Sequence, residues 1–245
     1  MVPRSRYNRS DMAINLRPHV DCSDERMELW NPQQIIAWAA RTFGDGLAMS
    51  SSFQQQSLAL LHMVSRIAPE MPIHFVDTGY HFSETLQFKE QITELLHLNV
   101  IDVTPEVTHE EQDLHYGTEL WKHDPDLCCY LNKVQPMQST LNRYEAWLTG
   151  IRRDQSAQRA NARPVECRKD GLIKINPLVN WTQSDVDRYI AFHRLPTHPL
   201  YEQGYHSIGC APCTRPIIPG EDLRAGRWDG RRKKECGLHT VFRLR

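Results

Sequence analysis

Short apolar segments alternate with longer amphipathic ones along the first half of the chain, and this alternation limits the fold more than any other feature. "LAMSSSF" reads as a strand running into a loop. "QQQSLALLHMVSRIA" follows, with Leu58, Leu61, Val64 and Ala68 at helical spacing before Pro69. "PIHFVDT" then reads as a strand, "SETLQFKEQITELLH" as a helix and "NVIDVTP" as a strand. Upstream, "WNPQQIIAWAARTFG" predicts a helix with Asn31 as N-cap, Pro32 at the first helical position and a stop at Gly44. Further on, "AWLTGI" and "LIKINPLV" read as strands, and "TQSDVDRYIAFHR" as a helix from Thr182 with Asp185 placed to help cap it. Alternating βα units predict an α/β domain: a Rossmann-like parallel sheet flanked by helices. No GxGxxG or GxxxxGK(S/T) follows a strand, so neither a dinucleotide fingerprint nor a Walker-type loop is present.

At 245 residues and 40% apolar, the chain suits one α/β domain with a real core. A formal charge of -1 gives no electrostatic case for nucleic-acid binding. The N-terminal "MVPRSRYNRSDMAINLRP" has arginines but no apolar run of signal-peptide length, and no stretch approaches a membrane span. The expectation is a cytoplasmic protein with a loose leader over residues 1–28. In that reducing compartment seven cysteines are read as metal-binding or catalytic rather than as a disulfide framework.

From about Pro196 the periodicity fades into a Gly-, Pro-, Arg- and Cys-rich tail. The expected layout is an α/β domain over 29–214 and an irregular C-terminal arm over 215–245. "CAPC" sets Cys210 and Cys213 at a spacing that lets two thiolates share one metal centre. "DLCCYLNKV" adds the adjacent pair Cys128 and Cys129. Neighbours on a strand point apart and a disulfide between them is strained, whereas on a helix they diverge by only about 100°. Two such pairs suggest a four-iron cluster first and a zinc site second, with plain packing of the adjacent pair as the bland alternative.

The CC and CxxC pairs, with "MSSSFQQQS", "FVDTGYHF", "TGIRRDQS", "KINPLVNWTQSDVDRYI" and the terminal "KKECGLH", closely resemble the assimilatory adenylyl-sulfate reductases. The 3'-phosphoadenylyl-sulfate reductases share this frame. The resemblance runs in order from about Trp38 to His239 and implies an adenine nucleotide alpha-hydrolase-like fold. It implies thiol-dependent reduction of adenylyl sulfate to sulfite and AMP through an enzyme S-sulfocysteine, in assimilatory sulfate reduction and cysteine biosynthesis. It makes Cys236 of ECGLH the nucleophile; from the residues alone, the basic run Arg231 to Lys234 and His239 would favour its thiolate. It further implies that Lys133, Arg224, Arg227 and His239 contact the phosphosulfate, and that Ser50 and Ser52 line the nucleotide loop. Thr78, Gly150, Arg152 and Arg159 would serve adenosine and ribose.

By the same resemblance Cys128, Cys129, Cys210 and Cys213 hold a 4Fe-4S cluster with a structural and electrostatic role. Thioredoxin or glutaredoxin is the implied reductant, and the family is usually dimeric or tetrameric. Two departures stand out: Phe53, where Gly is common, and Asn132, where many cluster-bearing relatives have Arg. Cys22 and Cys167 match no motif; Cys22 is placed in the leader and Cys167 in a loop. The alternatives are a phosphoadenylyl-sulfate or dual-substrate reductase, a tRNA thiolase, and a zinc-stapled interaction module. The thiolase would need an intact SGGxDS-type loop, which "SSSFQQQS" is not.

Overall fold

The computed structural model describes residues 20–233 and 235–239. The remainder of the leader (1–19), Lys234 and the last six positions of the arm lie outside the described residues. Six strands form one sheet: β1 (Leu47–Ser50), β2 (Ile73–Val76), β3 (Val100–Val103), β4 (Ala146–Leu148), β5 (Val165–Cys167) and β6 (Ile173–Ile175). Their order is β3-β2-β1-β4-β6-β5. All neighbours run parallel except β5, which pairs antiparallel with β6, Cys167 opposite Ile173. The all-parallel expectation is therefore corrected at this edge. A three-residue strand that folds straight back onto β6 carries too little periodicity to stand out in sequence.

Helices cover the sheet where the apolar spacing placed them. α1 (Pro32–Phe43) starts at Asn31, whose side chain accepts the Gln34 N–H while Gln34 returns a bond to the Asn31 N–H. It buries Ile35, Ile36, Ala39 and Phe43 and ends at Gly44 with φ of 49°. α2 (Leu58–Ile67) is buried at Leu58 through Leu61 and at Met63 and Val64, as suits a helix inside the core. α3 (Ser83–Leu96) crosses to the edge strand β3. A run of shorter helices follows: α4 (His109–Tyr116), α5 (Leu120–His123), α6 (Pro125–Cys129) and α7 (Gln135–Leu141). α8 (Gln183–Phe192) begins at the Thr182–Asp185 capping box.

Between α6 and α7, Tyr130–Val134 form a π-helical turn. Pro136 follows at once and has no N–H for the carbonyl four residues back, a local cause for widening the coil. No helix among the described residues is long and apolar enough to cross a membrane.

The unassigned cysteines are also placed. Cys22 and Cys167 form a disulfide with Cα atoms 5.8 Å apart, which ties the segment before α1 to the edge strand β5. Met27 in the same segment is buried, so from residue 20 onward the leader is packed on the domain rather than loose. The expectation of no disulfide is corrected here: the two residues are 145 apart in sequence, and only the position of β5 brings them together.

Candidate active site

The strand order reverses direction at β1, between β2 on one side and β4 on the other. In open α/β sheets ligands bind outside the carboxyl ends of the strands at such a switch point. A cavity of about 160 Å³ opens there, lined by Ser50, Ser51 and Ser52 after β1, Val76 at the end of β2, and Gly150 and Ile151 after β4. The serine loop is held from both sides. The Trp147 indole N–H donates to Ser50 Oγ at 2.9 Å, and the Phe53 N–H donates to Ser51 Oγ at 3.1 Å. Phe53 takes the left-handed φ of 50° that glycine would adopt freely, and it is fully buried edge-on against Phe75.

The three glutamines that follow fasten the later segment to this loop. Gln54 and Gln55 side chains accept the N–H groups of Ile208 and His198 at 2.8 and 2.6 Å, and Gln56 donates to the His206 carbonyl at 3.2 Å. "FQQQS" is thus a docking strip for the segment leading to CAPC.

The C-terminal arm closes over the same cavity, bringing Cys236 together with Lys133, Arg159, Arg224, Arg227 and His239. Close packing of glycines makes this possible. A Cβ on Gly209 would stand 2.2 Å from the Arg227 guanidinium, and one on Gly226 would stand 2.1 Å from the Arg215 carbonyl oxygen. Burial would push the Cys236 thiol up; Lys133, the Leu238 N–H and Arg227 together hold it below the ordinary thiol value. Lys133 rather than the preceding basic run is the leading cation. Arg231 donates to the Trp121 carbonyl at 2.6 Å and Lys233 pairs with Asp126, so both pin the arm to α5 and α6. His239 is not a charge donor either: burial, then Arg159 and Lys174, hold it well below the usual imidazole range. Its ring stacks on Trp147 at 5.2 Å and 8° between planes, and its Nδ1 is buried without a partner.

Next to this cavity lies a second, smaller one lined by Cys128, Cys129, Cys210 and Cys213. Lys133, Arg227 and Trp228 line both. Trp228 stands between them at a φ of 48°, buried, with the Arg227 guanidinium 4.4 Å over its ring. Cys128 and Cys129 end α6 just before the π turn, and Cys210 caps a 3-10 turn over Ala211–Cys213 that ends on Cys213. None of the four is disulfide-bonded. Among the described residues no group of three or more His, Cys, Asp or Glu side chains could hold a single metal ion. What the four thiols share is a pocket. Burial, then repulsion from Cys210 and Cys213, pushes Cys128 up to about 12, and burial does the same for Cys129.

Asn132, the departure from Arg, is buried and exchanges two 2.8 Å amide bonds with Gln112. It also donates to the Cys128 carbonyl at 3.0 Å and lies 3.7 Å from Cys128 Sγ.

Two residues expected at the nucleotide lie elsewhere. Thr78 points into the cysteine pocket, its hydroxyl 3.3 Å from Cys210 Sγ. Arg152 is buried behind the cavity, where it bonds Asp154 at 2.9 Å and Gln183 at 2.9 Å. Ser50, Ser52, Lys133, Gly150, Arg159, Arg224, Arg227 and His239 all line the cavity with Cys236. Sequence reasoning passed over Glu235, Ser156 and Trp147. Glu235 accepts from Ser156, Arg159 and Arg224. Its place inside ECGLH was the available signal.

Sheet topology and cavity define a class: doubly wound α/β proteins with a serine loop at the switch point, over which an arm sets a cysteine among cations. Comparison with known proteins narrows the class. The family profile described as phosphoadenosine phosphosulfate reductase domain matches residues 46–216. Adenosine 5'-phosphosulfate reductase of Streptomyces coelicolor is 48% identical over 84% of this chain and 87% of that protein. Adenosine 5'-phosphosulfate reductase 1 of Bacillus subtilis is 42% identical over 84% of this chain and 89% of its own length. The crystal structure of phosphoadenylyl-sulfate reductase from Candida auris in its phosphate complex superposes with a TM-score of 0.67 at 29% identity, covering 79% of this chain and 98% of that one. The chain belongs to the phosphoadenosine phosphosulfate reductase family.

Proposed function

We propose that the protein is a thiol-dependent oxidoreductase that reduces adenylyl sulfate to sulfite and AMP in sulfate assimilation. The observation that carries this is Cys236 inside the nucleotide cavity beside Lys133 and Arg227, in a chain whose relatives of 40–48% identity are named adenosine 5'-phosphosulfate reductase. The Cys236 thiolate attacks the sulfur of the sulfate group. An S–S bond forms, and the bond from sulfur to the bridging oxygen breaks, its electron pair leaving with AMP. Lys133 and Arg227 stabilise the charge that grows on the departing phosphate, and Arg224 holds the sulfate end. A dithiol reductant such as thioredoxin or glutaredoxin then displaces sulfite and is oxidised to its disulfide, so both electrons come from thiols. Cys236 must leave the cavity for this second step, which requires the arm to open.

The donor set of the second pocket, four unpaired thiols on two segments, fits a 4Fe-4S cluster held by Cys128, Cys129, Cys210 and Cys213. When bound, such a cluster supplies a rigid bracket between α6 and the CAPC turn and a local charge felt across Lys133. Thr78 and Asn132 would orient Cys210 and Cys128 around it. The four cysteines favour adenylyl sulfate over its 3'-phosphorylated form, which is the second reading.

The test is sulfite release by anaerobically purified protein with thioredoxin on both substrates, with the visible spectrum recorded. A brown protein that prefers adenylyl sulfate is expected. A colourless protein that prefers the phosphorylated substrate would overturn the cluster and the substrate assignment together. Mass spectrometry of Cys236→Ser should show no sulfonated enzyme; a persistent adduct would move the nucleophile elsewhere.

A further inference from the structure

Beyond the upstream pins at Arg231 and Lys233, three contacts seat the arm on the two sides of Cys236. Leu238 packs on the small core of Val76, Met137, Leu141, Trp147 and Leu172, and His239 stacks on Trp147. Neither contact depends on the charge of a bound substrate. The third does. Glu235, with a side chain only 10% exposed, faces the Nε–Nη2 edge of Arg159: Oε2 lies 2.9 Å from Nη2 and Oε1 lies 3.1 Å from Nε. The same carboxylate accepts from Ser156 Oγ at 3.1 Å and from Arg224 Nη2 at 3.4 Å.

That edge of a guanidinium is the one that grips a carboxylate or a phosphate with two parallel bonds. Arg159 Nη1 is meanwhile turned to Gln155. A protein carboxylate therefore fills a two-bond anion seat on Arg159, which the resemblance gives to adenosine and ribose, and reaches Arg224, which it gives to the phosphosulfate. Burial alone would push the Glu235 carboxyl up, but Arg159 and Arg224 hold it below the ordinary value, so the seat is filled by a charge.

We propose that Glu235 is an internal anion that competes with the substrate for Arg159 and Arg224, holding the Cys236 arm on the crevice until substrate displaces it. The proposal rests on the reading of these arginines as substrate contacts. Adjacent Cα atoms are about 3.8 Å apart, so a rotation that frees Arg159 repositions the neighbouring thiol as the anion arrives. Anion binding and placement of the nucleophile are then one event, and Glu235 is a positioning residue for Cys236.

Glu235→Gln keeps the size of the side chain and removes its charge. Calorimetry should show adenylyl sulfate binding roughly tenfold tighter and AMP binding tighter by a smaller factor, because Arg159 is released for both and Arg224 for the sulfate end alone. In the nucleotide-free variant, alkylation of Cys236, mapped by peptide mass, should run several-fold faster, and kcat and KM should fall together. Glu235→Asp, which keeps the charge, should return affinity towards wild type. A residue that merely holds the arm in place would leave nucleotide affinity unchanged or weaker.

Nucleotide binding by both Glu235→Gln and Glu235→Ala that is no tighter than wild type would overturn the proposal. Arg159→Ala separates the two levels. If it leaves AMP and adenylyl sulfate binding intact, the substrate role of Arg159 fails. If it weakens both while Glu235→Gln tightens neither, only the competition fails.

Discussion

Phe53 occupies a left-handed backbone position in the serine loop after β1 at the cost of a steric penalty, and its burial must offset that penalty. The two can be separated with a pair of substitutions. Losing a fully buried phenylalanine ring to alanine costs about 3–5 kcal/mol. Phe53→Ala loses the ring, including its edge-on contact with Phe75 at 5.8 Å, yet keeps a Cβ at φ of 50°. The left-handed penalty for that Cβ is about 1–2 kcal/mol. Phe53→Gly loses the same ring and sheds the penalty, while adding about 0.5–1 kcal/mol of backbone entropy to the unfolded chain. The difference leaves Phe53→Gly more stable than Phe53→Ala by about 0.5–1 kcal/mol, the reverse of their usual order in regular structure. Urea denaturation followed by circular dichroism, with equal m-values required, measures both. A higher midpoint for Phe53→Ala than for Phe53→Gly would refute the reasoning, because the positive φ would then carry no cost.

Arg224→Ala should weaken adenylyl sulfate binding by about tenfold while changing AMP binding far less, since charge-assisted bonds to the sulfate end are lost; equal loss of both would contradict the assignment. His198 is fully buried, accepts the Leu200 N–H on Nδ1 and is held at about 4 by burial. Its folded value lies below the unfolded one, so the unfolded chain takes up the proton first. The contribution is complete above about pH 7 and is lost as pH falls from about 6.5 through 4, by about 3 kcal/mol. His198→Asn should flatten that slope in pH-dependent thermal melts, and an unchanged slope would place its origin elsewhere. Cys22→Ser should lower the stability of the oxidised protein by about 4–5 kcal/mol for a closed loop of this length, and should remove its sensitivity to dithiothreitol.

Much of the scaffold was legible because its signals are local. The capping groups at Asn31 and Thr182 act within one helical turn, and the apolar spacing of α2 and the fully buried run of β2 state their surroundings directly. Cys236 was legible because its motif is specific, although the cation that acts on it most strongly, Lys133, lies on another element about a hundred residues upstream. Other assignments depended on which ends of which strands meet. Thr78 follows β2 and could face either cavity; its hydroxyl meets Cys210. Arg152 sits beside Ile151, which does line the cavity, yet it turns inward to Asp154 and Gln183. Side chains of adjacent residues in extended chain point to opposite sides, so one position in sequence separates a ligand contact from a buried support.

Periodicity, caps and motifs are written within a few residues, and they carry the βα succession, the switch-point loop, the four paired cysteines and the thiol in ECGLH. Packing sets the rest: β5 runs antiparallel, Cys22 meets Cys167, Asn132 joins Gln112 beside Cys128, and Glu235 sits on Arg159. Each is a pairing across a long stretch of chain, and its partners are chosen by how the sheet edge and the closed arm pack rather than by anything either residue's neighbours encode.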